Sequence, residues 1–106
     1  MSIETSTEVI GDRATIRMTG RVDREAQAGL DEAWTQAASS SPTDVVLDFA
    51  AVEYINSTGI ALIVGLLSRA RVAGTTLHAR GLTPHYRHIF EITRLSDFIA
   101  IDESAR

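Results

Sequence analysis

The chain has 106 residues, 44% of them hydrophobic and 23% charged, with no cysteine and a formal net charge of −4. That length suits one domain with a modest core and leaves no room for a separate substrate domain. The lack of cysteine excludes disulfides, thiolate zinc sites and a cysteine nucleophile, and the scattered basic residues of a mildly acidic chain argue against nucleic acid as a direct partner.

Met1 to Thr7 is polar and acidic, without the apolar core of a secretion signal. The longest apolar run, Ile60 to Leu67, is far short of the roughly 18 residues a membrane span needs. A cytoplasmic location and no membrane insertion are therefore expected. Val9 and Ile10 lead into Gly11-Asp12, a turn dipeptide that tolerates positive φ. Ala14, Ile16 and Met18 then alternate with Thr15, Arg17 and Thr19, the period of a strand with one buried face. Gly20 is expected to end that strand. Asp23 can cap a helix running to about Ala38, with Ala26, Leu30, Ala33, Trp34 and Ala37 as its apolar stripe.

Asp44 to Phe49 is dense in apolar, β-branched residues and reads as a central strand. A short loop is expected next, then Asn56-Ser57-Thr58-Gly59, then a helix through the apolar run to Gly74. Ile60, Leu62, Ile63, Leu66 and Leu67 together circle that helix, so it needs cover on both sides, more than the domain alone need supply, which leaves room for a partner groove. Thr76 to Arg80 alternates as a strand with His78 outward. Thr83-Pro84 is a helix start, and Tyr86, Ile89, Phe90 and Thr93 give that helix a face. Phe98 to Ile101 reads as a final strand, and Asp102 to Arg106 as a fraying tail or a turn of helix. The order implies one α/β domain, a mixed, mostly parallel sheet with an N-terminal hairpin and helices after strands two to four. Its core spans about residues 8–102 of 1–106.

In such sheets function gathers in turns beyond the carboxyl ends of the strands. Two turns qualify: Gly20-Arg21-Val22-Asp23, and Asn56-Ser57-Thr58-Gly59. The stretch Val46-Leu47-Asp48-Phe49-Ala50-Ala51-Val52-Glu53-Tyr54-Ile55-Asn56-Ser57-Thr58-Gly59-Ile60 resembles the signature segment of STAS domains of the anti-sigma factor antagonist kind. Gly20-Arg21-Val22-Asp23 is similar to that family's Gly-x-Leu/Val-Asp. Leu82-Thr83-Pro84 with Ile89-Phe90 and Leu95 is similar to its final helix.

The resemblance implies a non-enzymatic switch in transcription control, with no cofactor of its own. Ser57 would accept phosphate from an anti-sigma factor that is also a serine kinase, with Thr58 as the alternative acceptor. Phosphorylation would release that partner, and a PP2C-type phosphatase would reverse the step. ATP and magnesium would belong to the kinase. Arg21, Asp23, Asn56, Ser57, Thr58 and Gly59 would form the partner face, and Asp48 would shape the acceptor loop. STAS domains also serve as subunits of lipid-transport ATPase complexes and stress-signalling assemblies, an alternative motivated by Asn56, where the antagonist pattern has Asp. That pattern also often has Gly at the position of Arg94.

Plainer readings stand beside these. Ser57 could serve only as a helix cap. Asp23 could be a cap as well. Gly59 could admit a partner or let the helix start pack on the sheet, and Gly65, with Ala61 and Ser68, is expected to pack closely on the sheet, with a partner groove as the alternative. His85 and His88 sit three apart but lack a third ligand, so solvated side chains are expected.

Overall fold

The structure is a computed structural model that describes residues 3–102. Strands β1 (Ile3–Ile10), β2 (Arg13–Val22), β3 (Asp44–Ile55), β4 (Thr76–Arg80) and β5 (Ala100–Asp102) form one sheet whose spatial order equals the chain order. β1 and β2 are an antiparallel hairpin; every later pair is parallel. Helices α1 (Gln27–Ala38), α2 (Ser57–Ala73) and α3 (Pro84–Ile92) make the crossovers. Right-handed crossovers between successive neighbours place all three helices on the same face of the sheet.

The core agrees with that layering. Ile16, Met18, Val45, Leu47 and Leu77 from the strands form one cluster with Leu30, Trp34, Ile63, Leu66 and Phe90 from the helices. Each large side chain so buried contributes about 1.5–3 kcal/mol. All five residues of the expected α1 stripe are buried. The opposite sheet face carries a polar row in which Asp48 pairs with Arg17 at 3.3 Å and Arg80 at 3.2 Å. His78, expected to point outward, is half-buried on that face, 2.8 Å from Asp44.

Several boundaries differ from expectation. β1 starts at Ile3, inside the polar N-terminal stretch, and forms one edge of the sheet. β2 does not stop at Gly20, which keeps pairing at φ 107°, and runs to Val22. The expected loop before Asn56 is strand, because Ala51 to Ile55 pairs with Thr19 to Val22 of β2. Two register shifts, opposite Arg17/Thr19 and Gly20/Arg21, each give β3 an extra residue. Bulges of this kind bend and retwist a strand. The α1 region opens with a separate 3-10 helix, Arg24–Ala26. The final strand is Ala100–Asp102 rather than Phe98–Ile101; Phe98 follows a 3-10 helix, Leu95–Asp97, and is exposed. The fraying tail lies mostly outside the described residues.

α2 is not covered all round. Ile63, Leu66, Leu67 and Ala70 are buried, while Val64 is 41% exposed. Gly65 lies on the open side, where a Cβ would meet nothing within 4 Å, so close packing on the sheet does not explain it. Arg94 adopts φ 67° and pairs with Asp97 at 2.7 Å. That left-handed backbone is what glycine adopts most readily. Among the described residues, no helix is long and apolar enough to cross a membrane, and no group of three His or acidic residues is placed to hold a metal. His85 and His88 are exposed.

Candidate functional site

The site forms where β2 and β3 end together and α1 and α2 begin. Val22 pairs with Ile55 in register. The carbonyl of Val22 then accepts the N–H of Asn56 at 3.3 Å. Asn56 leaves the strand in an extended conformation (φ −101°, ψ −176°), and its side chain accepts the N–H of Gly59 at 2.8 Å. Asn56 is therefore the helix cap, satisfying one of the donors that a helix start leaves free.

The cap role expected for Ser57 as its plain reading thus falls to its neighbour. Ser57 is the first residue of α2 and is exposed, as is Thr58. Gly59 is buried against β2: a Cβ there would lie 1.9 Å from the Val22 carbonyl oxygen. Only glycine lets the helix start approach the strand this closely. Of the two readings for Gly59, packing against the sheet is the one the geometry supports.

The neighbouring turn supplies charge. Asp23 caps the 3-10 helix by accepting the Glu25 N–H at 3.1 Å, and its other oxygen lies 3.6 Å from Arg21. The Arg21 guanidinium lies over the Tyr54 ring, 4.4 Å from its centre, within cation–π range. Asp23, Arg24, Glu25, Asn56 and Thr58 line an open cavity of about 360 Å³. Arg21, Asp23, Asn56, Ser57, Thr58 and Gly59 are thus gathered at one end of the molecule. Arg24, Glu25 and Tyr54 join them, and were not singled out from the sequence. Tyr54 belongs to the signature segment, whereas Arg24 and Glu25 carry no sequence signal beyond their place next to Asp23.

Asp48 stands apart, in the middle of β3. It is buried, 7% exposed, on the face away from the helices. One carboxylate oxygen accepts the Ala50 N–H at 3.0 Å, at the first bulge. Burial alone would raise its pKa. The Ala50 N–H, Arg80 and Arg17 outweigh that effect and hold the carboxyl below the usual carboxylate range. Gly81 packs on the same bulge from β4's side, where a Cβ would lie 2.7 Å from the Ala50 nitrogen.

Comparison with known proteins gives a consistent frame. A family model described as Mlab, STAS domain, matches residues 6–101. An anti-sigma-B factor antagonist of Staphylococcus aureus is 28% identical over 104 residues, covering 97% of this chain and 94% of that protein. An anti-sigma factor antagonist structure from Mycobacterium paratuberculosis superposes with a TM-score of 0.75 at 24% identity, over 94% of this chain and 85% of that one. The phosphorylated form of the Bacillus cell fate determinant SpoIIAA superposes at 0.67 with 20% identity, over 94% of this chain and 92% of that one. With the hairpin, the one-sided helices and the ordered motifs all in place, the chain belongs to the STAS domain family.

Proposed function

We propose that this chain is an anti-sigma factor antagonist, a binding protein rather than an enzyme, with Ser57 as its phosphate acceptor. One observation carries the reading: Ser57 is the exposed first residue of α2, and Asn56 relieves it of the capping role. The Staphylococcus aureus relative, named an anti-sigma-B factor antagonist, supports the function class.

In the unphosphorylated state the partner, an anti-sigma factor with serine kinase activity, docks on the face formed by Arg21, Asp23 and Asn56 to Gly59. The Ser57 oxygen attacks the terminal phosphorus of the nucleotide held by the kinase. An O–P bond forms, the bond to the leaving diphosphate breaks, and the hydroxyl proton passes to a base on the kinase. The product carries about −1.5 to −2 charge at a helix N-terminus. The helix start tolerates that anion, so the domain keeps its fold. Buried under a docked partner, that charge loses its solvation. A penalty of about 3 kcal/mol weakens binding more than a hundredfold. Hydrolysis by a PP2C-type phosphatase returns the hydroxyl and inorganic phosphate.

Incubation with the cognate kinase and ATP, followed by intact-mass measurement, tests this. A single added phosphate is expected in wild type and none in Ser57→Ala. Labelling that persists in Ser57→Ala but vanishes in Thr58→Ala moves the acceptor to Thr58, which lines the cavity.

A second reading is a structural STAS subunit of a lipid-transport ATPase or stress-signalling assembly. Two observations favour it: Asn56 puts a neutral cap where the antagonist pattern has a carboxylate, and the matching family description names Mlab rather than an antagonist. Co-purification with a membrane ATPase, with no phosphate on Ser57, would establish it instead.

A further inference from the structure

β3 continues to Ile55, but β4 pairs with it only from Asp44 to Asp48. The remainder of β3 has lost its β4 neighbour. Backbone N–H groups along a parallel strand point alternately to its two sides. The Asn56 N–H goes to Val22 on the β2 side, so the Ile55 N–H points to the side that β4 has left. Ile55 is buried, and a buried N–H needs an acceptor. That acceptor is the Tyr86 hydroxyl, 3.0 Å away and 31 residues along the chain.

We propose that Tyr86 is a positioning residue for the Ser57 turn, a role that rests on the phosphate-acceptor reading above. Ile55 and Asn56 are gripped from opposite sides, Ile55 by Tyr86 of α3 and Asn56 by Val22 of β2. The next residue is Ser57. Tyr86 is itself well placed to hold position. Its N–H donates to the Thr83 side chain at 3.2 Å, the contact that caps α3. One turn on, fully buried Phe90 meets Phe49 edge-to-face with ring centres 5.9 Å apart. The hydroxyl is therefore presented by a helix capped at its start by Thr83 and anchored in the core one turn on by Phe90. Phosphoryl transfer is sensitive to such placement, since a misplacement of about 1 Å can cost about a hundredfold in rate.

Tyr86→Phe removes the hydroxyl and keeps the ring. Three readouts decide: amide hydrogen exchange, amide NMR shifts, and the kinetics of Ser57 phosphorylation by the cognate kinase. Expected are about tenfold faster exchange at Ile55 relative to Leu47 and Leu77, amide shifts that, beyond residue 86 and its immediate neighbours, fall on Ile55 through Gly59, and a kcat lowered about tenfold with KM little changed. Exchange that rises equally at Ile55, Leu47 and Leu77 shows a merely structural role and overturns the proposal. So does a variant whose exchange, shifts and kcat all match wild type. If wild type itself is not phosphorylated, the acceptor reading falls instead, and the exchange and shift patterns alone then decide whether Tyr86 positions the turn.

Discussion

Gly59 and Gly65 lie six positions apart on the same helix, and the same substitution at each is expected to act with opposite sign. In Gly59→Ala the added Cβ would lie 1.9 Å from the Val22 oxygen and 2.8 Å from its carbon, where ordinary contact begins at 3.4 Å. Both atoms are backbone of a paired strand, so neither can swing aside. The helix start must lift off β2, which strains the Asn56 bond to Val22 and the Asn56 cap on Gly59. Overpacking of this kind costs about 1–3 kcal/mol, and loss of the cap adds about 1 kcal/mol. The gain in helix propensity on leaving glycine is about 1 kcal/mol, so the net expectation is a loss of about 1–3 kcal/mol. Gly65→Ala collects the propensity gain with no collision, because nothing lies within 4 Å of the new methyl. A gain of up to about 1 kcal/mol is expected. Urea unfolding followed by circular dichroism measures both, with unchanged m-values as the check that midpoints report stability. A Gly59→Ala midpoint equal to wild type, or a Gly65→Ala midpoint below it, refutes the reasoning.

Asn56→Ala removes the α2 cap and is expected to lower stability by about 1 kcal/mol by the same assay. Asn56→Asp retains the cap; it is expected to leave the unfolding midpoint nearly unchanged while restoring the charge of the antagonist pattern, so any change in phosphorylation rate reports that charge alone. Asp48→Asn is expected to cost about 1–2 kcal/mol at neutral pH, since Arg17 and Arg80 lose their shared anion. Because the native Asp48 pKa is depressed, the wild-type contribution is full above the unfolded value, near 3.9, and is lost as pH falls through the native one. The Asn variant should therefore lose less stability than wild type on acidification below about pH 4. Phe90→Ala is expected to cost about 3–5 kcal/mol, read from thermal unfolding.

The layering and most of the site were legible in the sequence because they rest on local signals. The helical stripe from Ala26 to Ala37, the Thr83-Pro84 start and the Asn56 turn each state their role within a few residues. The second half of β3 did not. Its core-facing residues are Phe49, Val52 and Ile55, spaced by three, because each bulge inserts one residue and resets the alternation. A strand that abandons period two looks like a loop to any reading based on period. The hairpin was legible from Val9 to Asp12, but the first half of β1 hid for a different reason: an edge strand half open to solvent carries Glu4, Ser6 and Glu8 on one side and Ile3, Thr5 and Thr7 on the other, so its hydrophobic signal is faint. Tyr86 was visible as a helix-face residue, but its bond to Ile55 depends on β4 being shorter than β3. That is a fact of the fold and of no local pattern.

The outer rim of β1 has a consequence for crowded solution. Among the described residues its eight positions pair with β2 on one side only, and such a rim is an invitation for another copy to extend the sheet. A copy arriving antiparallel and centred on Ser6 would bring Glu4 of one chain opposite Glu8 of the other, twice over. Like charges facing each other across a strand pair repel. In that register the two glutamates disfavour extension of the sheet, and they do so from the edge strand beside β2, two strands from the β3 end that carries the acceptor turn.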